Sequence, residues 1–169
     1  MALTGSDNYF EDFEPGQVLR HARGKTMCEQ DNVGITLQVL NTAEAHFNED
    51  VMQKNASSSG GGRAGWNRRV QFGGVTIAMV IGMTMQDTGE NAVRELSLDR
   101  IRLKAPVFHG DTLYAYSEVL TVEDVDTADA GVVTFRHYGV NQNDQVVFEG
   151  ERRVLVKRRS HHSTDGSHS

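Results

Sequence analysis

From Gly73 to Met85 the chain reads Gly-Gly-Val-Thr-Ile-Ala-Met-Val-Ile-Gly-Met-Thr-Met, a run without one charged side chain. Its apolar positions form no stripe, so the run predicts a helix surrounded by other structure rather than one lying on the surface. Two glycines open it, Gln86 and Asp87 return it to water, and Gly89 supplies a stop with a left-handed backbone. It is shorter than the roughly 20 apolar residues of a membrane span. β-branched Val75, Thr76, Ile77, Val80 and Ile81 leave a buried strand as the competing assignment. Against it stand Gly82 in mid-run and the methionines between Met52 and Met85, which fill irregular gaps.

Ahead of this run, Tyr9 to Glu14 pairs aromatic anchors with acids and ends in a Pro15-Gly16 turn, which predicts a segment lying across the body. Val18, Leu19 and Thr26 predict a strand over 17–27 that Gly24 interrupts. Glu29-Gln30-Asp31-Asn32 then offers acids and a cap for a helix whose apolar positions are Val33, Ile35, Leu37, Val39 and Leu40. Behind the run, strands dominate. In Arg94 to Lys104, Ile101 and Leu103 share one face and Arg100, Arg102 and Lys104 the other. Thr112 to Val122, Val132 to Asn141 and Val146 to Lys157 follow, with a solvated loop over Glu123–Asp129 and a turn at Asn143-Asp144. The order predicts an α+β domain in which an antiparallel sheet curls around one long buried helix. It occupies residues 1–157, with a flexible Gly- and Ser-rich insertion at 55–68 and a disordered tail at 158–169.

Composition narrows the partners. Charged residues make up 24% of the chain and the net charge is -6, without a basic block, which argues against nucleic acid. A single cysteine, Cys28, excludes an intrachain disulfide and reads as a half-buried packing residue. With no apolar leader after Met1, the expected compartment is the cytoplasm, away from membranes.

The candidate chemistry lies in Asn41-Thr-Ala-Glu-Ala-His46-Phe-Asn48, where hydrogen-bonding side chains follow an apolar element. A histidine there titrates near neutrality and can take a proton from water; a surface histidine at a helix end is the ordinary alternative. Arg63, Arg68 and Arg69 flank Trp66 in the insertion, and Arg100, Arg102 and Lys104 line one strand face. Both sets suit a phosphate-rich ligand and both are equally explained as solvated surface. His161, His162 and His168 in the tail have no spacing for a structural metal site, so no metal and no cofactor is expected.

Four stretches in order carry a resemblance over 9–156: Tyr9-Phe-Glu-Asp-Phe-Glu-Pro-Gly16, Asp31-Asn32 leading to Asn41–Phe47, the double-glycine helix, and Ala105-Pro-Val-Phe-His-Gly-Asp-Thr-Leu113. The chain resembles the MaoC-like enoyl-CoA hydratase/dehydratase family, nearest its mesaconyl-CoA and β-methylmalyl-CoA branch. The resemblance implies a hot-dog fold and a hydro-lyase acting on an acyl-CoA thioester, or on one carried by an acyl carrier protein. The family's catalytic histidine falls on His46 and its catalytic Asp on Asn41, while Ala43-Glu44 replaces its Asn-Pro. The oxyanion-binding amide falls on Gly73 or Gly74. Arg63, Arg69, Arg100, Arg102 and Lys104 are the candidate substrate cations, and a homodimer or higher oligomer is implied. A non-catalytic acyl-CoA-binding subunit and a thioesterase using Glu44 or Asp50 are the alternatives.

Overall fold

The computed structural model describes residues 8–57 and 66–160, and the elements follow the expected order. Strand β1 spans Val18–Thr26, and a wide turn at Gln30–Gly34 runs into the short helix α1 (Ile35–Gln38). A 3₁₀ turn at Glu44–His46 precedes helix α2 (Glu49–Ser57), and helix α3 covers Gly73–Thr88. Four strands complete the chain: β2 (Ala92–Leu103), β3 (Thr112–Asp124), β4 (Ala130–Asn141) and β5 (Val146–Lys157). They join β1 in one antiparallel sheet of order β1-β3-β4-β5-β2, with α3 packed against it, the hot-dog arrangement. The β4–β5 turn forms because Asn141 Oδ1 accepts the N–H groups of Asn143 (3.0 Å) and Gln145 (3.1 Å), and Asp144 tolerates φ +59°. Arg63 and the rest of the glycine-rich stretch, and His161, His162 and His168, lie outside the described residues.

Two apolar clusters hold the sheet. Val75 and Val80 of α3 pack on Leu113, Ala115, Val147 and Phe148, and at Gly139 a Cβ would stand 2.5 Å from Val80, so glycine sets how closely helix and β4 approach. At the other end Phe10 and Phe13 cover Val119, Val133, Phe135 and Val154, with the Phe13 and Phe135 rings edge to face at 5.1 Å. Arg158 stacks on Phe10 at 4.3 Å and pairs with Asp124, and Arg159 pairs with Asp12. The first residues of the expected disordered tail are therefore held by the body.

Other expectations need correction. Helix α3 is covered on one side only: Val75, Thr76, Val80, Thr84, Asp87 and Thr88 are buried, while Ala78 and Gly82 are exposed, because a single sheet reaches one face. Gly89 ends the helix with φ −132°, not left-handed, its N–H closing on the Met85 carbonyl. Over residues 32–40, α1 and its flanks, the expected polarity is inverted. Asn32 and Thr36 are fully buried, and Ile35, Leu37, Val39 and Leu40 face outward, Leu40 at φ +57°. Cys28 is exposed rather than half-buried, in a turn where its N–H donates to the Asp31 carboxylate at 2.9 Å. Arg100 sits in a bulge at φ +50°. Ile101 and Leu103 of this edge strand are exposed rather than packed. Among the described residues no helix is long and apolar enough to cross a membrane.

Beneath α3 the core encloses a polar chain. His21 Nδ1 lies 2.5 Å from Asp87 Oδ2, His21 Nε2 lies 2.7 Å from Ser117 Oγ, and that hydroxyl lies 2.7 Å from His137 Nδ1. His137 Nε2 is buried with no partner among the described residues. Burial, with the positive charge of Arg152 and the nearby His21 ring, holds His137 well below the ordinary imidazole value. Burial also lowers His21, although Asp87 pulls the other way. A depressed histidine stays neutral in the fold while the unfolded chain takes up its proton below about pH 6.5, so stability is full above that pH and falls beneath it. Thermal melts of the wild type should be flat between pH 7 and 8 and drop toward pH 5. His137→Gln should lose part of that drop; an unchanged acid slope would remove His137 from the account.

Candidate active site

His46 closes the 3₁₀ turn that follows α1, and its ring is half-buried beside Phe72, with ring centres 5.5 Å apart. Its Nδ1 lies 2.9 Å from the Val70 carbonyl oxygen. A carbonyl can only accept, so Nδ1 carries the hydrogen, and in the neutral ring Nε2 keeps a lone pair. The Val70 N–H bonds back to the Ala45 carbonyl at 3.1 Å, and Gln71 N–H bonds the Val107 carbonyl at 2.8 Å. The segment leading into α3 is thus clamped between the histidine turn and the Pro106–Asp111 turn.

The carboxamide of Asn32, fully buried, joins these pieces. Its Nδ2 reaches the His46 carbonyl (2.9 Å), the Val70 carbonyl (3.3 Å) and His109 Nε2 (3.2 Å). Its Oδ1 accepts the Phe72 N–H at 2.8 Å, immediately before α3 begins. His109 Nδ1 faces Glu29 at 3.4 Å, and Glu29 shares Arg69 with Glu49. The Arg69 guanidinium holds both carboxyls below the usual carboxylate range.

A cavity of about 340 Å³ opens at the N-terminus of α3, lined by His46, Trp66, Gln71, Gly73, Thr76 and Lys104 among apolar walls. The Phe72 carbonyl takes the N–H groups of Val75 and Thr76, whereas those of Gly73 and Gly74 have no acceptor among the described residues. Such free amides at the positive end of a helix favour developing negative charge. Gly73 lines the cavity and Gly74 does not; a Cβ on Gly74 would stand 2.6 Å from the Phe72 ring.

Of the expected residues, the cavity brings together His46, Gly73 and Lys104. Asn41 stands apart. Its Oδ1 accepts the Ala43 N–H at 3.0 Å, and it borders a separate hollow with Leu37, Leu40 and Glu44. Arg100 pairs with Glu151 at 3.2 Å, Arg102 with Glu149 at 3.5 Å, and Arg69 is occupied by Glu29 and Glu49. Lys104 Nζ reaches Glu149 at 3.6 Å, and the residue borders the cavity. Arg68 lies over the Phe108 ring at 4.0 Å, and Trp66 meets that ring edge to face. Asn32, Gln71 and Thr76 were not singled out by chemistry in the sequence. The one signal for Gln71 was a lone amide two residues before the double glycine.

Residues 3–158 match the sequence profile of the mesaconyl-CoA hydratase family. A mesaconyl-CoA hydratase of Haloarcula marismortui is 32% identical over 167 residues, covering 92% of this chain and 44% of that protein. A β-methylmalyl-CoA dehydratase of Chloroflexus aurantiacus is 34% identical over 158 residues, covering 94% of this chain and 42% of that protein. A solved structure described as a putative MaoC domain protein dehydratase from Chloroflexus aurantiacus superposes with a TM-score of 0.76 at 31% identity, over 94% of this chain and 43% of that one. The chain therefore spans about two fifths of the length of these relatives.

Asn32→Ala would strand the Phe72 N–H and the His46 carbonyl, while the Val70 carbonyl would keep His46 Nδ1. Urea unfolding should show a loss of about 3 kcal/mol, since each buried group left unpaired costs about 1–3 kcal/mol. A loss under about 1 kcal/mol would mean that these groups re-pair without the amide.

Proposed function

We propose that this chain, which belongs to the mesaconyl-CoA hydratase family, is the catalytic part of a hydro-lyase that interconverts a 2-enoyl-CoA and a 3-hydroxyacyl-CoA. The observation that carries this reading is the lone pair of His46 Nε2 and the unpartnered N–H of Gly73 on one cavity. In hydration the thioester oxygen lies at the start of α3 and accepts the Gly73 N–H. His46 Nε2 takes a proton from water as its oxygen bonds C3. The electron pair of the double bond moves onto the thioester oxygen, where the amide and the helix dipole stabilise it; one such donor is typically worth about 3 kcal/mol. The enolate then collapses and C2 takes the proton held by His46. Dehydration is the reverse, with no net change in protonation. Lys104 at the cavity supplies a positive charge for a carboxylate on the acyl chain or a phosphate of CoA, which suits the branched, carboxylated substrates named for the relatives.

The edge strand β2 supports assembly. Val93, Leu98, Ile101 and Leu103 are exposed along an unpaired edge, and Leu103 also borders the cavity. A second hot-dog unit on this edge, from another copy of the chain, would cover them and close the cavity mouth. A second reading, an acyl-CoA-binding subunit without turnover, draws on Asn41 facing its own turn instead of the cavity.

Purified protein should consume the enoyl-thioester absorbance of crotonyl-CoA or mesaconyl-CoA, and His46→Ala should lower kcat/KM by at least about 10²-fold. Binding of both esters without turnover would favour the subunit reading. Sedimentation of the wild type should show at least a dimer, and Ile101→Lys should shift it toward the monomer; a wild-type monomer at working concentration would sink the assembly.

A further inference from the structure

Within the cavity wall, one pair of side chains has no part in the chemistry just described. Gln71 is only 4% exposed, and its Nε2 donates to Thr76 Oγ1 at 3.0 Å. Its Oε1 is buried without any partner among the described residues. The Thr76 hydroxyl, already accepting from Gln71, has no acceptor for its own hydrogen among them. Thr84 and Thr88 on the same helix, by contrast, donate to the carbonyls of Ile81 and Thr84. A buried acceptor without a donor destabilises a fold, so this oxygen calls for a donor from outside the protein, a water or a hydroxyl of a ligand.

Both residues border the cavity that His46 and Gly73 share, and Gln71 follows directly on Val70, whose carbonyl orients the His46 ring. The pair offers one free acceptor beside one free donor. A carboxylate or a thioester carbonyl, which only accept, would leave Gln71 Oε1 facing another oxygen. A hydroxyl or a water both donates and accepts and satisfies the two together. We infer that Gln71 and Thr76 form the seat of the transferred oxygen: they hold the water that adds to C3 and the 3-hydroxyl of the hydrated ester. In hydration one hydrogen of that water goes to His46 Nε2, while the other stays on the oxygen and is donated to Gln71 Oε1. Thr76 donates to the same oxygen. No proton passes through the pair, whose task is to aim a lone pair at C3. Asn41 does not border the cavity, so this pair supplies the second polar contact that His46 would otherwise lack.

The inference rests on the hydratase reading, and the test separates the two. In a His46→Ala background, calorimetry compares 3-hydroxybutyryl-CoA with butyryl-CoA, which differ by the hydroxyl alone. Adding Gln71→Met should weaken 3-hydroxybutyryl-CoA about tenfold, the worth of one hydrogen bond, and leave butyryl-CoA within about twofold. Thr76→Val, a near-isosteric change, should show the same selective loss should the glutamine variant fail to fold. With His46 intact, either change should lower kcat for crotonyl-CoA while KM stays within about twofold, as expected for a group that meets the water rather than the ester. Equal losses for both esters, or none for either, would overturn the inference while the hydratase reading stood. Undiminished turnover by His46→Ala would overturn the hydratase reading, and this inference with it.

Discussion

One carboxamide, sealed from water, is what the rest of the site depends on. Asn32 binds the backbone of the histidine turn, the carbonyl that orients the His46 ring, and the residue that precedes α3. Two segments distant in sequence, the histidine turn and residues 70–72, meet on it, and the His46 carbonyl and the Phe72 N–H would otherwise be left unpaired. The placement of the base against the helix terminus is therefore coupled. A shift of the Gln30–Gly34 turn moves the histidine turn, the Val70 carbonyl and the start of α3 together. Thr36, one turn on, lies against the same amide at 3.5 Å, which explains why α1 turns its polar residues inward.

The sheet supplies the other constraint. Its five strands curve over one side of α3, so the helix axis is fixed by Val75 and Val80 against Leu113, Phe148 and the bare backbone at Gly139. That packing leaves the first turn of α3 at the end of the sheet, where the Pro106–Asp111 turn and the segment before α3 form the cavity walls. Charges near the cavity are largely balanced on the spot: Arg69 by Glu29 and Glu49, Arg100 and Arg102 by Glu151 and Glu149. Lys104 borders the cavity as well as pairing with Glu149, because it stands where β2 ends and the chain turns into the cavity wall.

Much of this was legible in the sequence, for reasons that differ by element. An uncharged run between glycines and Gln86-Asp87 reads as α3 whatever surrounds it, and Asn143-Asp144 reads as a turn because the required backbone is local. His46 could be picked out by residue type and position. The α1 segment could not be read correctly, since apolar residues there face outward and its inner face serves a polar hub that only tertiary contacts define. The same blindness hid Asn32, which beside acids and an apolar run looks like a helix cap. A strand row of three cations likewise looks open to phosphate until β5 is laid beside it and its glutamates come into register. Gln71 became visible only because its Oε1 lacks a partner among the described residues.

The buried His21–Ser117–His137 chain has a direction. The Asp87 carboxylate can only accept, so His21 Nδ1 holds a hydrogen and His21 Nε2 must receive one from the Ser117 hydroxyl. That hydroxyl has a single hydrogen, so toward His137 it can only accept, and His137 Nδ1 must hold the next. One acid at the end of α3 thus dictates the tautomer of a ring two strands away, on β4, through a row of hydrogen bonds that all point the same way. The lone pair left over at the far end, on His137 Nε2, is the terminus of that orientational order: an asymmetry written in proton positions, within a sheet whose backbone pairing alone would not distinguish one direction from the other.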